Sequence, residues 1–268
     1  MSAADTLLDI VGGYGRLAVA YSGGADSALV LAAAVRALGP GEVLAVTAVS
    51  ESLASGELDP ARAFAASQGV EHLTPRTHEL RSAGYRANGQ DRCYFCKSEV
   101  LDTIVALATE HGFDQVATGT NADDAADRFR PGIAAGRERG IRTPLLEAAL
   151  TKAEVREISR SWSLPTWNKP ATPCLASRIR HGIEVTPHRL ARVDRAETAL
   201  RAVLAQARIP VTDLRVRDLG TSARVEVPAA DVEAVAALPG VREAVEAAGF
   251  GAGGFEVSAF RSGRLNVG

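Results

Sequence analysis

The string Ser22-Gly23-Gly24-Ala25-Asp26-Ser27 stands between an apolar run, Leu17 to Tyr21, and the helix-forming stretch Ala28 to Leu38. A buried strand must therefore turn sharply into a helix, and adjacent glycines supply the backbone freedom for that turn. This is the architecture of a phosphate cradle. Glycines let the backbone approach an anion, the N–H groups and positive dipole end of the helix face it, and Ser22 and Ser27 add hydroxyl donors. It is not a Walker A loop, because the G-x-x-x-x-G-K-[ST] spacing is absent and no lysine stands where it would reach a terminal phosphate.

The segments around the cradle carry a βα rhythm. Strand-like runs at 17–21, 43–49 and 115–118 alternate with helical patterns at 28–38, 60–68 and 98–111, which predicts a doubly wound parallel sheet with helices on both faces. Asp59 before Pro60 reads as a helix N-cap, and Thr151 with Glu154 as a capping box; Gly39-Pro40 and Gly112 read as stops. Residues 168–182 have loop character yet contain Cys174, Arg178, Arg180 and His181. A helix is expected over 186–207, strands over 214–219 and 224–227 around Gly220-Thr221, helices over 229–238 and 241–248, and a short strand over 255–258. The expected organisation is a nucleotide-binding α/β domain over 1–175 and a smaller α+β domain over 176–268.

With 268 residues, 46% of them hydrophobic and 23% charged, the chain can bury a substantial core. No apolar stretch reaches the roughly 18 to 20 residues that span a bilayer, and residues 1–9 lack a basic region followed by an apolar one. The expectation is a cytoplasmic protein with no membrane partner. A formal charge of −2 gives no general affinity for polyanions, so no nucleic-acid partner is expected. Three cysteines, two of them in C-x-x-C, fit reduced thiols that do chemistry or bind metal better than a disulfide framework.

In open α/β sheets, ligands collect beyond the carboxyl ends of the strands. Ser50 and Ser52, past one such end, could hold an adenine or ribose, or be turn serines. Gly119-Thr120-Asn121-Ala122-Asp123-Asp124, past another, places a carboxylate pair beside small polar residues. Asp123 and Asp124, with Asp26, could hold the Mg²⁺ that partly neutralises ATP, or the pair could simply favour a helix N-terminus. In Arg92-Cys93-Tyr94-Phe95-Cys96-Lys97 the flanking cations favour a thiolate. The pair could be redox-active, half of a zinc site, part of an iron–sulfur site, or buried structural cysteines. Cys174 is a third thiol in a loop that no packing argument requires to contain sulfur. Three thiolates can hold three irons of a 4Fe–4S cluster and leave one iron open; zinc with His181 or His72 as fourth ligand competes.

The S-G-G-x-D-S string resembles the PP-loop of the ATP pyrophosphatases, which split ATP between the α and β phosphates and place AMP on an acceptor. Further strings extend the likeness along nearly the whole chain: R-C-Y-F-C-K; G-T-N-A-D-D followed by Arg130-Pro131-Gly132; Thr143-Pro144-Leu145-Leu146-Glu147; the loop K-P-A-T-P-C-L-A-S-R over 169–178; and Ser262-Gly263-Arg264-Leu265-Asn266. Together they resemble the LarE sulfur transferases of nickel-pincer nucleotide synthesis. That resemblance implies a PP-loop ATP pyrophosphatase domain over 1–175 and a substrate and oligomerisation domain over 176–268. It implies ATP, Mg²⁺ and a 4Fe–4S cluster on Cys93, Cys96 and Cys174, with Ser22, Gly23, Gly24, Asp26, Ser27, Ser50, Gly119 and Thr120 at the nucleotide. The resemblance further implies a small-molecule substrate, pyridinium-3,5-biscarboxylic acid mononucleotide, whose carboxylates become thiocarboxylates. A second type in the family sacrifices the cysteine at the Cys174 position as sulfur donor; possession of all three cysteines points to the cluster type. A homo-oligomer and hand-over to the nickel-inserting enzyme of the pathway are also implied. Ile179-Arg180-His181-Gly182 departs from the family's I-P-Y-G, and Arg264 from its usual serine.

The expected chemistry is attack of a substrate carboxylate on the α phosphorus, followed by attack of sulfur on the acyl-adenylate. Arg178, Arg215 and Arg217 are candidates to hold the substrate's own phosphate, the last two on one side of a strand, with Glu197 and Glu226 nearby. A PP-loop tRNA thiolase, an amidating synthetase and a nucleotide-sensing module are the rival readings. The charge of −2 disfavours the first, and the cysteine trio the second.

Overall fold

Leu17, Val19, Val43 and Ala45 alternate along the chain with Ala18, Leu44 and Val46, and both sets are buried. Strands buried on both faces form the centre of a covered parallel sheet. The computed structural model, which describes residues 2–126, 131–251 and 253–260, contains that sheet. Its strands β1 (Leu17–Ala20), β2 (Val43–Val46), β3 (Glu71–Leu73) and β4 (Gln115–Ala117) run in the order β3-β2-β1-β4, all parallel. Arg130 and the 262–266 string lie outside the described residues.

The first set of side chains packs with helices Ala3–Gly12, Ala25–Leu38, Leu58–Ser67 and Lys152–Ser161. The second packs with helix Arg92–Glu110 through Ile104 and Ala108. The sheet is thus doubly wound. The chain moves outward from β1 through β2 to β3, then returns to place β4 on the other side of β1. That reversal puts the crevice for a ligand beyond the carboxyl ends of β1 and β4.

The chain divides into two units. The first comprises Met1–Ser50, Glu57–Glu79 and Cys93–Thr172; the second comprises Glu51–Gly56, Leu80–Arg92 and Pro173–Gly268. In the second, β5 (Arg215–Asp218) and β6 (Ala223–Val227) form an antiparallel hairpin, and β7 (Phe255–Ala259) lies parallel to β6. Gly220 turns the hairpin at φ 101, a conformation that glycine adopts without Cβ strain. Helix Pro187–Gln206 packs on β5 and on helix Pro239–Val245. It starts at Thr186, whose hydroxyl accepts the Arg189 N–H at 3.2 Å, with proline at its first position. Asp218 is fully buried and carries two guanidinium partners, Arg189 at 2.9 Å and Arg192, whose guanidinium also stacks on Phe250.

Four sequence expectations change at the element level. The cradle helix begins at Ala25, so Asp26 and Ser27 lie in its first turn. The helix expected from 98 begins at Arg92, so the C-x-x-C occupies its first turn. Glu57, not Asp59, is the N-cap of the third helix, which starts at Leu58. The stretch 229–238 divides into a 3₁₀ turn, Ala229–Asp231, and a helix, Val232–Ala236. Among the described residues, no helix is long and apolar enough to cross a membrane.

Candidate functional site

The cradle is closed by its own serines. The Ser22 N–H donates to Ser27 Oγ at 3.2 Å, the two hydroxyls lie 3.1 Å apart, and Ser27 Oγ donates to the Gly24 carbonyl at 3.1 Å. The Gly24 N–H reaches Ser22 Oγ at 3.4 Å. An entering phosphate can replace these weak internal bonds with shorter, charge-assisted ones. Gly23 has φ 74, and a Cβ on it would stand 3.2 Å from the Ala61 methyl. Gly119, just past β4, is tighter still: a Cβ there would lie 2.7 Å from the Ser27 nitrogen. The loop after β4 thus meets the first turn of the cradle helix backbone to backbone where the strand order reverses. Thr120 joins Thr118 through their hydroxyls at 3.2 Å.

The carboxylates have specific partners. Asp26 accepts from Asn121 Nδ2 at 3.1 Å and pairs through its other oxygen with the Lys152 ammonium. Asp123 accepts the Lys152 backbone N–H at 2.9 Å; Asp124 accepts the Asn121 N–H at 3.3 Å and gives its own N–H to Asn121 Oδ1 at 3.0 Å. Lys152 and Asn121 reach the cradle's Asp26, and the sequence reading did not single them out. The lysine's position in the T-K-A-E capping string was the available signal, since a cation in a first helical turn opposes the macrodipole. Lys169, also missed, donates to the Gly23 carbonyl at 3.0 Å and pairs with Glu57 at 2.6 Å.

Ser50 and Ser52 fall in different units. Ser50 closes a first-unit segment, following Val49, which bridges to Arg76. Ser52 belongs to the second unit, where its hydroxyl bonds Tyr85 and its carbonyl accepts the Leu175 N–H at 2.8 Å. Behind the cradle, Thr47 Oγ1 donates to the Tyr21 carbonyl at 2.6 Å and meets His72 Nε2 at 2.8 Å. Burial pushes His72 below its ordinary pKa, aided by Arg62.

None of the three cysteines forms a disulfide. Cys93 is exposed and Cys96, one turn on along the helix, is partly buried; both belong to the first unit. Residues i and i+3 share a helix face. Burial lowers the Lys97 ammonium's pKa, with Cys96 opposing. Cys174, in the second unit, caps the 3₁₀ turn Leu175–Arg178, and its carbonyl accepts the Ser177 N–H at 2.9 Å. His181 Nδ1 lies 3.0 Å from the Asn88 carbonyl. Among the described residues, no three His, Cys, Asp or Glu side chains gather as ligands of one metal ion.

In the second unit, Arg178, Arg215 and Arg217 share one electrostatic neighbourhood with Glu197 and Glu226. Arg178 is buried and pairs with Glu197 at 2.9 Å; Arg217, also buried, pairs with Glu226 at 2.8 Å and donates to the Ser177 carbonyl at 2.8 Å. Arg215 stacks on Phe260, and burial lowers its pKa, with the Arg178 and Arg217 charges adding to the effect.

Over 252 residues the chain is 32% identical to the pyridinium-3,5-bisthiocarboxylic acid mononucleotide synthase of Lactiplantibacillus plantarum, covering 94% of this chain and 89% of that protein. The chain belongs to the LarE family. An uncharacterized protein of Synechocystis is similar to this LarE-family chain at 42% identity over 265 residues, covering 98% of this chain and 96% of the other. A protein of Methanocaldococcus jannaschii, also uncharacterized, is 28% identical over 140 residues, about half of each chain. No family model matches the chain.

Proposed function

We propose that this chain is an ATP-dependent sulfur transferase that adenylylates the carboxylates of pyridinium-3,5-biscarboxylic acid mononucleotide and converts them to thiocarboxylates. The observation that carries this reading is end-to-end similarity to a synthase of the bisthiocarboxylic product. The serine-closed cradle at the switch point supports the nucleotide half.

A substrate carboxylate oxygen attacks the α phosphorus, the bond to the β-phosphate oxygen breaks, and pyrophosphate leaves against the N–H groups of Gly23 to Ser27. Asp26 supplies carboxylate oxygens suited to Mg²⁺, a hard cation, and Asp123 and Asp124 are its further candidates; Mg²⁺ would disperse the charge on the phosphates. Gly119 and Thr120 edge the nucleotide, with Ser50 near its base or ribose. A sulfur nucleophile then attacks the acyl carbon and AMP departs with the former carboxylate oxygen. Arg178, Arg215 and Arg217 orient the substrate's phosphate, and the second unit, centred on 176–268, serves substrate binding and subunit association.

The thiols suit a 4Fe–4S cluster by their chemistry, being soft donors outside any disulfide with two of them at i and i+3 on a helix start, although among the described residues the three do not gather at one point. Cys93, Cys96 and Cys174 would hold it, and its open iron would supply sulfide. The test is anaerobically reconstituted protein with ATP, Mg²⁺ and the biscarboxylated nucleotide, followed by mass spectrometry for AMP, pyrophosphate and sulfur gain on the substrate. Thiolation of tRNA without sulfur gain on the nucleotide overturns the reading. Loss of one sulfur from Cys174, with full activity of Cys93→Ala, assigns Cys174 as sacrificial donor and overturns the cluster.

A further inference from the structure

The cradle lacks a lysine in its own string, yet one reaches it from elsewhere. Lys152 opens helix Lys152–Ser161, directly after Thr151, whose hydroxyl accepts the Glu154 N–H while Glu154 accepts the Thr151 N–H at 2.9 Å. The Lys152 N–H is itself held by Asp123. The root of the side chain is therefore fixed from two directions. A cation in a first helical turn faces the positive end of the dipole, an unfavourable placement unless a counter-charge offsets it. Asp26 is that counter-charge. The pair is accessible rather than sealed, with side-chain exposures of 33% for Lys152 and 26% for Asp26. A triphosphate entering the cradle brings several negative charges to Asp26, and like charges at that range repel.

We infer that Lys152 is a phosphate-binding residue of the nucleotide site: when ATP enters, its ammonium moves from the Asp26 carboxylate to the phosphate chain. This rests on the ATP-dependent reading above. A lysine suits the exchange because its ammonium is a compact charge with three rotatable donors on a flexible stem. Asp26, held on its other oxygen by Asn121, keeps its position while the lysine leaves. No covalent bond changes. Lys152 thus supplies from a separate helix the charge that a Walker A lysine supplies from within its loop.

Calorimetric binding of α,β-methylene-ATP with Mg²⁺ separates this role from a structural one. Lys152→Met is expected to bind at least about tenfold more weakly than wild type, and Lys152→Arg, which keeps the charge, within about threefold. The deciding comparison is in the Asp26→Asn background, measured without Mg²⁺ so that the loss of a metal-holding carboxylate does not enter; there no carboxylate needs a counter-ion. There, adding Lys152→Met is expected to weaken binding again by about tenfold. Equal affinity of Asp26→Asn and the double variant overturns the inference, because Lys152 then acts only as the partner of Asp26. Wild type that binds α,β-methylene-ATP alongside a Lys152→Met variant that binds it equally overturns the inference and leaves the ATP reading intact. Wild type that does not bind the analogue overturns both.

Discussion

At Gly119 there is no space for a methyl group: a Cβ would lie 2.7 Å from the Ser27 nitrogen and 2.9 Å from the Asp26 carbonyl carbon. Both neighbours are backbone, so Gly119→Ala must push the loop off the start of the cradle helix. The expected outcome is at least about tenfold weaker binding of α,β-methylene-ATP and a stability loss of about 1–3 kcal/mol, read by calorimetry and urea denaturation. Arg178 and Glu197 are both buried, and Glu197 also accepts the Val216 N–H at 3.0 Å. Glu197→Ala leaves an enclosed guanidinium without its partner and should lower stability by about 3–5 kcal/mol in urea denaturation. The cradle was legible because its residues are contiguous and each has a local reason to be there. Lys152, Asn121 and Lys169 were not, because the Asp26 and Gly23 groups they meet lie about a hundred residues away or more, and no local pattern records that distance.

Among elements, β1, β2 and β4 could be read from apolar runs, and the hairpin from its alternation around Gly220-Thr221. β3 could not, for it is a three-residue edge strand, Glu71-His72-Leu73, whose polar residues suit an edge and hide its pairing with β2. The helix from Arg92 was expected to start later because its first turn is rich in cysteine and aromatic residues, poor helix formers in isolation. The missed strand carries a pH dependence. Burial lowers the His72 pKa from 6.5, so the folded state disfavours the imidazolium that the unfolded chain accepts. Its contribution to stability is complete above about pH 6.5 and is lost as pH falls through the lowered folded value. The melting temperature is expected to fall on acidification from pH 7.5 to 5, and His72→Gln, which retains a donor toward Thr47, to flatten that profile; an unchanged slope contradicts it.

At the scale of the molecule, the doubly wound parallel sheet and the smaller α+β fold followed from periodicity, whereas the strand order and the interleaving of the units did not. The chain passes between them after residues 50, 56, 79, 92 and 172. The residue that shows why is Asn88, buried at φ 55, whose carboxamide donates to the carbonyls of Ile179, Arg180 and Ile183 at 3.3, 2.9 and 2.8 Å and accepts from Arg92. Nothing near Asn88 in the sequence announces those partners. A fragment of residues 173–268 lacks Asn88, Tyr85 and Ser52, and is expected to show no cooperative melting by circular dichroism; addition of a peptide spanning 80–92 should restore part of the signal. The same interleaving orders events during synthesis. The acceptors of Asn88 emerge from the ribosome roughly 90 residues after it, about 5 to 18 seconds later at ordinary elongation rates. Through that interval, segment 80–92 must wait tethered to a first unit that is itself incomplete, its side chains without the carbonyls they will later hold.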